Sequence, residues 1–203
     1  MLNKYVYEKV DINKNYYLVK IEQQCIPEIT SFVAKKYYSQ KHFSFDCSIE
    51  ELIKIMSEND HILSSYTTTF CLMSVENGLC CTGRLIKREK RLPFEEEFDV
   101  DLDLFTDKVK NIYEFARFAS NGKVSFFMIE RMLKYMLQSI AADAMVVAGL
   151  DKKVFKQFLK IKYPIYKLGY PLQYLGSLTV PVGIKLSELS FWSKRKILEN
   201  TLC

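Results

Sequence analysis

An amphipathic segment lies between two apolar stretches in the second half of the chain, and this order restricts the folds open to the sequence. From Val124 to Ala142 the apolar residues recur at helical spacing. The preceding stretch, Val109 to Ala119, is rich in aromatic and aliphatic residues, and the following one, Ala144 to Ala148, is short and wholly apolar. Two strands joined by a helix lie parallel in one sheet. The sequence therefore predicts a single parallel crossover, and the broken alternation of 109–119 indicates a β-bulge in its first strand.

The remaining pattern predicts further strands and helices on both sides of this crossover. Asn77 and Gly78 supply the positive φ angles of a tight hairpin turn between strands at 66–75 and 79–87. Ser48 opens a short helix with a capping-box pattern, and Asp151 is the predicted N-cap of a basic helix that ends at Tyr163. The other predicted elements are a strand at 16–21, a helix at 27–40, a turn-like acidic stretch at 93–107, two short strands within 164–183 and a final helix at 190–201. This order predicts an α/β fold with a mixed, mostly antiparallel central sheet flanked by helices.

Composition and charge limit the classes of protein to which the chain can belong. Its 203 residues are 49% hydrophobic and 26% charged, which is typical of folded globular proteins and excludes disordered and collagen-like chains. Because no repeat or linker rich in Pro, Gly and Ser divides it, residues 1–203 are predicted to form one domain. The net charge of +5 favours acidic partners but does not require nucleic acid.

The cysteines and the N-terminal residues indicate where such a protein works. Six cysteines and two histidines lack the spacing of a zinc site, so we expect free thiols and no bound metal. The first nine residues carry charges where a signal peptide needs an apolar stretch, and no apolar run reaches the ~18 residues of a membrane-spanning helix. We therefore expect a cytoplasmic protein without a transmembrane segment.

Three motifs go beyond the fold pattern. They are Gly83-Arg84-Leu85-Ile86 followed by Leu92-Pro93-Phe94-Glu95, then Tyr113-Glu114-Phe115-Ala116-Arg117-Phe118-Ala119, and finally Leu168-Gly169-Tyr170-Pro171-Leu172-Gln173-Tyr174-Leu175-Gly176. In this order and spacing they resemble the acyl-homoserine lactone synthases and their relatives, the N-acyl amino acid synthases and exosortase-associated acyltransferases. Ala116 stands where this group usually has serine.

The resemblance implies both a fold and an activity. The fold would be that of the N-acyltransferase (GNAT) superfamily, with a bulged central strand. The activity would be transfer of a fatty acyl group from acyl carrier protein, or less readily from acyl-CoA, to the amine of an amino acid or related small molecule. The catalytic candidates are Glu114, Arg117 and Arg84, and no tightly bound cofactor is expected.

The residues themselves leave the roles of these three side chains open. Positions three apart in a regular strand face opposite sides of a sheet, so Glu114 and Arg117 meet only if a bulge separates them. Glu114 is then either a general base for the attacking amine or a counter-charge for the two arginines. Arg84 and Arg117 either bind a carboxylate through their planar guanidinium groups or form a structural charge network.

A GNAT strand with such a bulge opens a gap toward the next strand, where free backbone groups can pair with a pantetheine arm. The predicted substrate-binding residues on the two sides of this gap are Phe115, Phe118, Ala119, Val146, Val147 and Ala148. The segment Ala119 to Ser125 contains one glycine, which is a poor cradle for the pyrophosphate of CoA but sufficient for the single phosphate of phosphopantetheine. This favours a carrier protein as the donor.

Carrier proteins are acidic, so an enzyme that uses them needs a basic docking face. The helix from Asp151 offers Lys152, Lys153, Lys156 and Lys160 on its outward side, with Phe155, Phe158 and Leu159 inward. A solvated helix face is the alternative. The methionines of 124–142 either line an acyl tunnel or, as is more common at helical spacing, belong to the core.

Two other functions remain compatible with the sequence. The lactone synthases carry an N-terminal arginine, a tryptophan and a D-x-x-D pair around S-adenosylmethionine, and this chain lacks them as such; its only tryptophan is Trp192. An autoinducer synthase that uses S-adenosylmethionine is therefore the less favoured alternative. The other is a non-catalytic module of the same fold that binds an acyl chain or a partner.

Overall fold

A computed structural model describes residues 8–22, 26–39, 47–106, 109–174 and 177–189 of the chain. Its strands are β1 (Glu8–Asn13), β2 (Tyr16–Glu22), β3 (Thr67–Ser74), β4 (Gly78–Lys87), β5 (Ile112–Ser120), β6 (Met145–Asp151), β7 (Tyr166–Lys167), β8 (Leu172–Tyr174) and β9 (Ser177–Lys185). Its helices are α1 (Pro27–Ser39), α2 (Ile49–Ile62), α3 (Pro93–Phe98), α4 (Asp103–Thr106), α5 (Phe126–Gln138) and α6 (Lys152–Lys160). None of these helices is long and apolar enough to cross a membrane.

The strands form one mixed sheet in the order β1-β2-β3-β4-β5-β6-β9-β7, with β8 beside β9. Strands β1 to β4 pair antiparallel in sequence, and β9 pairs antiparallel with β6, β7 and β8. Strands β5 and β6, which α5 connects, pair parallel. The predicted fold class is thereby confirmed, including the parallel crossover.

Three local predictions need correction. Strand β1 was not predicted, because its sequence is polar and its burial pattern is that of an exposed edge strand. The acidic stretch predicted as turn-like at 93–107 contains two helices, α3 and α4, and Pro93 stands in the first turn of α3, where proline fits. In the hairpin, Gly78 has the predicted positive φ, at 67°, but Asn77 is not among the described residues with positive φ, so only one of the two expected positive angles is present.

Several local predictions are confirmed. Ser48 caps α2, because its side chain accepts from the Glu51 amide and the Glu51 carboxylate accepts from the Ser48 amide. Asp151 caps α6 by accepting from the Lys153 amide at 2.7 Å. Helix α1 has nearly the predicted bounds. The predicted helix at 190–201 and the motif residues Leu175 and Gly176 lie outside the described residues.

The chain divides into two compact units that alternate along the sequence. The first contains the described residues of 1–86 and 115–139, and the second those of 87–114 and 140–203. Strand β5 passes from the second unit into the first after Glu114. The prediction of one domain over 1–203 stays a prediction.

In the first unit, helices pack on both faces of the strands. One core joins α1 and α2 to β2 and β3 through residues such as Val33, Met56 and Cys71. Phe70 points to the opposite face, where its ring meets Tyr135 of α5 edge-on at 5.9 Å between centroids. On α5, Met128, Met132 and Met136 are buried, which supports core packing.

Strand β5 carries a backbone irregularity at Arg117. Its φ of 56° lies in the left-handed region, which is uncommon for a residue other than glycine. Phe115 and Phe118 would face opposite sides of a regular strand, yet their rings are 5.8 Å apart. The predicted bulge is confirmed.

In the second unit, β6 pairs with β9 along its whole length, from Met145 opposite Lys185 to Asp151 opposite Thr179. Gly149 allows a close approach of Phe98 and Thr179, since a Cβ there would lie 2.8 Å from the Phe98 ring. Helix α6 packs against these two strands.

Candidate functional site

Asp60, on α2, holds the negative charge of a buried cluster in the first unit. It follows Leu52 and Met56 at spacings of four, so the side chain lies on the buried stripe of the helix. Asp60 is 9% exposed. Its Oδ2 accepts a hydrogen bond of 2.8 Å from Thr30 of α1. A carboxylate is stable in such a position only when cations and donors surround it.

Arg84 and Arg117 are those cations. Arg84 lies in β4, is buried, and donates from Nη1 to Asp60 Oδ1. Arg117 reaches the same oxygen from β5, with its Nη2 at 3.4 Å. The sequence analysis named both arginines as candidates. The structure brings them together around a carboxylate that the sequence analysis did not single out.

The two guanidinium groups differ in availability. The Arg84 side chain is 7% exposed and directly hydrogen-bonded to Asp60. The Arg117 side chain is 20% exposed, and its distance to Asp60 exceeds that of a good hydrogen bond. Arg117 Nε is buried without an acceptor among the described residues. Because its side chain is the more exposed of the two, Arg117 is the cation that a ligand can reach more easily.

A small pocket surrounds this cluster, and we call it the Asp60 pocket. Its enclosed space is about 20 Å³, and it opens to the surface through a mouth. Its lining residues come from α1, α2 and strands β3, β4 and β5, and they are Ile26, Ile29, Thr30, Val33, Asp60, Thr67, Thr69, Thr82, Arg84 and Arg117. One wall is aliphatic and the other presents hydroxyl and guanidinium groups.

Strand alternation explains the polar wall. Thr67 and Thr69 are two apart on β3, Thr82 and Arg84 are two apart on β4, and Thr69 is in register with Arg84. These side chains therefore share the face that α1 and α2 cover. The bulge turns Arg117 to the same face.

Glu114 lies in the second unit. It is 7% exposed, and its Oε2 accepts a hydrogen bond of 3.2 Å from the amide of Phe94 in the first turn of α3. This amide fixes the orientation of the carboxylate. The predicted meeting of Glu114 with Arg117, and its role as a base, stay predictions.

Arg88 and Glu95 hold α3 in place beside Glu114. Arg88 Nε and Nη2 donate to the two carboxylate oxygens of Glu95 at 2.9 and 2.8 Å, and Nη2 also lies 2.9 Å from Asp103. The Glu95 carboxylate accepts from the Leu92 amide at 2.8 Å. Burial alone would raise the pKa of Glu95, but these hydrogen bonds outweigh it and lower the pKa below its ordinary value.

The predicted substrate-binding residues lie in two different units. Phe115 and Phe118 are half-buried, and Ala119 is buried in the core of the first unit. In the second unit, Val146 and Val147 are in parallel register with Tyr113 and Glu114, and Ala148 follows them. Their pairing with a pantetheine arm stays a prediction.

The α6 lysines are all at the surface of the second unit. Lys152, Lys153, Lys156 and Lys160 are exposed, as predicted for a docking face or a solvated one. Phe155 and Phe158 are half-buried, but Leu159 is 51% exposed. The expectation that Leu159 points inward is therefore wrong.

Known structures share this architecture. An N-acyl amino acid synthase from uncultured soil microbes, FeeM, aligns with a TM-score of 0.62 and 16% identity over 86% of this chain and 94% of its own. The acyl-homoserine lactone synthase LasI aligns with a TM-score of 0.56 and 14% identity, over 86% and 92% of the two chains. The chain has the GNAT fold of these synthases.

A further structure supports the GNAT fold. TofI, solved in a ternary complex with an inhibitor and MTA, aligns with a TM-score of 0.57 and 16% identity over 83% of this chain and 91% of its own. At the sequence level, no family model and no curated protein matches the chain. The fold that the resemblance implied is thus confirmed across most of the chain.

Sequence reasoning missed Asp60 and the threonines of the pocket. One signal was the four-residue spacing of Leu52, Met56 and Asp60, which places an acid on an apolar stripe. Another was the run Thr67 to Thr69 at the start of an otherwise apolar strand. Neither signal indicates which side chain the buried polar group contacts.

Proposed function

We propose that this protein is an N-acyltransferase that moves a fatty acyl group from acyl carrier protein to the amine of an amino acid or a related small molecule. The observation that carries the proposal is the Asp60 pocket, where two arginines share one carboxylate in a GNAT fold. The three ionised groups leave one positive charge, which suits an acceptor with a carboxylate.

The acceptor binds in this proposal through Arg117. A guanidinium group binds a carboxylate through two parallel hydrogen bonds, and Arg117 has donors left for them. Arg84 and Asp60 hold the site in shape. Such positioning of the two reactants supplies much of the rate enhancement in a group transfer between two substrates.

The reaction is direct transfer. The neutral amine attacks the thioester carbonyl and forms a tetrahedral oxyanion; the C–S bond then breaks, so that the new amide and the free thiol of phosphopantetheine are released. The nitrogen loses a proton and the thiolate gains one. Glu114 is the proposed proton acceptor on the nitrogen side, with its carboxylate oriented by the Phe94 amide.

The donor is proposed to be a carrier protein. The turn before α5 has a single glycine, Gly122, with a φ of 74°, and Ser125 caps α5 without a side-chain hydrogen bond, which leaves helix amides for one phosphate. The exposed lysines of α6 match an acidic carrier.

The experiment is mass spectrometry of the products formed from long-chain acyl carrier protein and pooled amino acids. We expect an N-acyl amino acid from the wild type. Arg117→Ala should lower kcat/KM by about 100-fold or more, because the group that holds the acceptor or the oxyanion is lost. Arg131→Ala, an exposed arginine on α5, is the matched control and should remain active.

Two results would overturn the proposal. One is an Arg117→Ala protein with wild-type activity. The other is a wild-type protein that retains lipid through purification but forms no product with any amine, which would identify a binding module.

A further inference from the structure

Leu159 is an aliphatic side chain at the surface of α6, although the sequence pattern predicts that it points inward. It is 51% exposed, whereas Phe155 and Phe158 of the same helix are half-buried. The helix packs against β6 and β9, so one side of it is covered by the sheet and Leu159 is left largely in solvent. A single exposed leucine is common on proteins, and its surroundings therefore decide whether it has a role.

The neighbours of Leu159 on the helix surface are lysines. Side chains three and seven residues apart lie on the same side of an α-helix, so Leu159 borders Lys156 and Lys152. Both lysines are exposed, and Lys153 and Lys160 continue the same basic face. The helix itself contains no acidic residue. Leu159 is thus an apolar side chain at the border of a wholly basic face.

The segment that follows α6 adds to this charge and does not compensate it. Between Asp151 and Glu188 the sequence has seven lysines and no acidic residue. These charges exceed the net charge of +5 of the whole chain, so the rest of the sequence is net negative. Positive charge concentrated in this way attracts a partner with an acidic surface.

The small apolar area of the basic face distinguishes between two kinds of acidic partner. A lipid surface binds a helix through a broad apolar face that inserts among the lipids. In α6 the two phenylalanines are half-buried within the protein, and one leucine remains beside the lysines. Protein interfaces combine a small apolar core with a polar rim, which is the arrangement that Leu159 and its lysines offer.

We propose that Leu159 is an apolar anchor for an acidic carrier protein, which buries the Leu159 side chain while the α6 lysines pair with its carboxylates. This inference rests on the proposed function for the identity of the partner. It gives the basic face of α6 an apolar contact, which added salt does not screen. The resulting claim about binding can be measured without turnover.

The experiment measures the Kd of the full chain for holo acyl carrier protein by isothermal titration calorimetry, at low and at high salt. Leu159→Ala should raise the Kd about fivefold, because part of a leucine side chain loses its burial. The ratio of the variant and wild-type Kd values should be the same at both salt concentrations. Leu159→Met, which conserves the side-chain volume, should bind as the wild type does.

Val154→Ala is the matched control. Val154 is 41% exposed on the same helix, but it lies five residues before Leu159 and therefore on a different side. Its neighbours three and four residues further along are Gln157 and Phe158, not lysines. We expect its Kd to equal that of the wild type. Thermal unfolding of all variants checks that they are folded.

The outcomes separate this inference from the proposed function. Equal Kd values for Leu159→Ala and Val154→Ala overturn the inference, as does an effect of Leu159→Ala that disappears at high salt. Wild-type protein that binds vesicles of anionic phosphatidylglycerol but not the carrier overturns it as well. If binding depends on Leu159 but no acyl product forms with any donor, the inference stands and the proposed transferase activity falls. If acyl-CoA is used and the carrier does not bind, the transferase activity stands and the inference falls.

Discussion

Asp60 is the residue on which the polar cluster of the first unit depends. It accepts from Thr30 and from Arg84 and lies beside Arg117, so one buried carboxylate compensates two guanidinium groups. A buried ion pair contributes little net stability compared with an apolar pair, but removal of one partner leaves an uncompensated charge. Thus Asp60 is required once the two arginines are present.

Asp60→Asn should therefore be strongly destabilising. We expect the free energy of unfolding to fall by about 3–5 kcal/mol, because Arg84 stays buried without its counter-charge. Urea denaturation followed by circular dichroism measures the change. Glu58→Gln, an exposed acid of the same helix, is the control; equal stability of the two variants would contradict the role given to Asp60.

Gly83 precedes Arg84 in the first motif, and the structure gives it a packing role on the other face of β4. A Cβ at this position would lie 2.8 Å from the Phe115 ring and 3.4 Å from the Met136 methyl group. The half-buried Phe115 ring, or the strand that carries it, must therefore shift to accommodate a methyl group at this position.

Gly83→Ala should destabilise the protein by about 1–3 kcal/mol through overpacking. Phe115→Leu in the same chain should recover part of the loss, since the smaller side chain makes room for the methyl group. Urea unfolding of the single and double variants measures this coupling. If the changes that the two substitutions make in the free energy of unfolding are additive, contact with the Phe115 ring is not the cause of the destabilisation.

At the scale of elements, α3 is held by one charge pair and two amides. Glu95 is 2% exposed, binds Arg88 through both oxygens and accepts from Leu92, while Glu114 accepts from Phe94. Six residues are too few for a helix to be stable alone, so these contacts set its position.

The pKa of Glu95 makes this contribution dependent on pH. Because the pKa is lower in the folded protein than the ordinary 4.5, the stabilisation is present above that pH and is lost as the pH falls through the folded pKa. Glu95→Gln should be less stable than wild type at pH 7, and the difference should shrink below about pH 4.5.

Urea unfolding at pH 7 and at successively lower pH tests this expectation. The control is Glu96→Gln, whose side chain is exposed on the same helix. A difference between Glu95→Gln and wild type that stays constant down to acid pH would show that the carboxylate is not held as a charged group.

At the scale of the whole molecule, the distribution of charge decides which partner is attracted. The chain carries 29 Lys and Arg against 24 Asp and Glu, and four of the lysines are exposed on α6 within nine residues. The positive electrostatic field of such a helix raises the rate of encounter with an acidic protein, and added salt weakens this effect by screening the charges.

Reversal of the α6 charges should impair use of a carrier protein. In a variant with Lys152, Lys153, Lys156 and Lys160 changed to Glu, we expect KM for acyl carrier protein to rise about tenfold or more, with the largest effect at low salt. KM for acyl-pantetheine, which lacks the carrier, should not change. The assay is initial rates with both donors.

The control makes the same change in net charge at a different place on the protein. Lys14, Lys35, Lys54 and Lys134 are exposed in the first unit, and their change to Glu alters net charge by the same amount. If both quadruple variants lose carrier affinity equally, net charge and not a docking face is responsible.

Local sequence determined most of the fold. The caps at Ser48 and Asp151 bring together groups two or three residues apart, and the crossover from β5 to β6 follows from one amphipathic helix between two apolar strands. Such features depend on neighbours in the chain, so a pattern of residue types was enough to predict them. Helix α3 was not predicted from the sequence, because short helices that depend on tertiary contacts have weak local patterns.

The site was decided by tertiary structure. The sequence marked Arg84 and Arg117 through motifs, but the carboxylate that they share is 24 residues from Arg84 and lies on a helix that carries none of the three functional motifs. The bulge at Arg117 determines which face of β5 its side chain takes, and a one-residue change in register reverses that face. A pattern of residue types shows that polar groups are buried, while only the packed chain determines which of them meet, because that depends on contacts between distant residues.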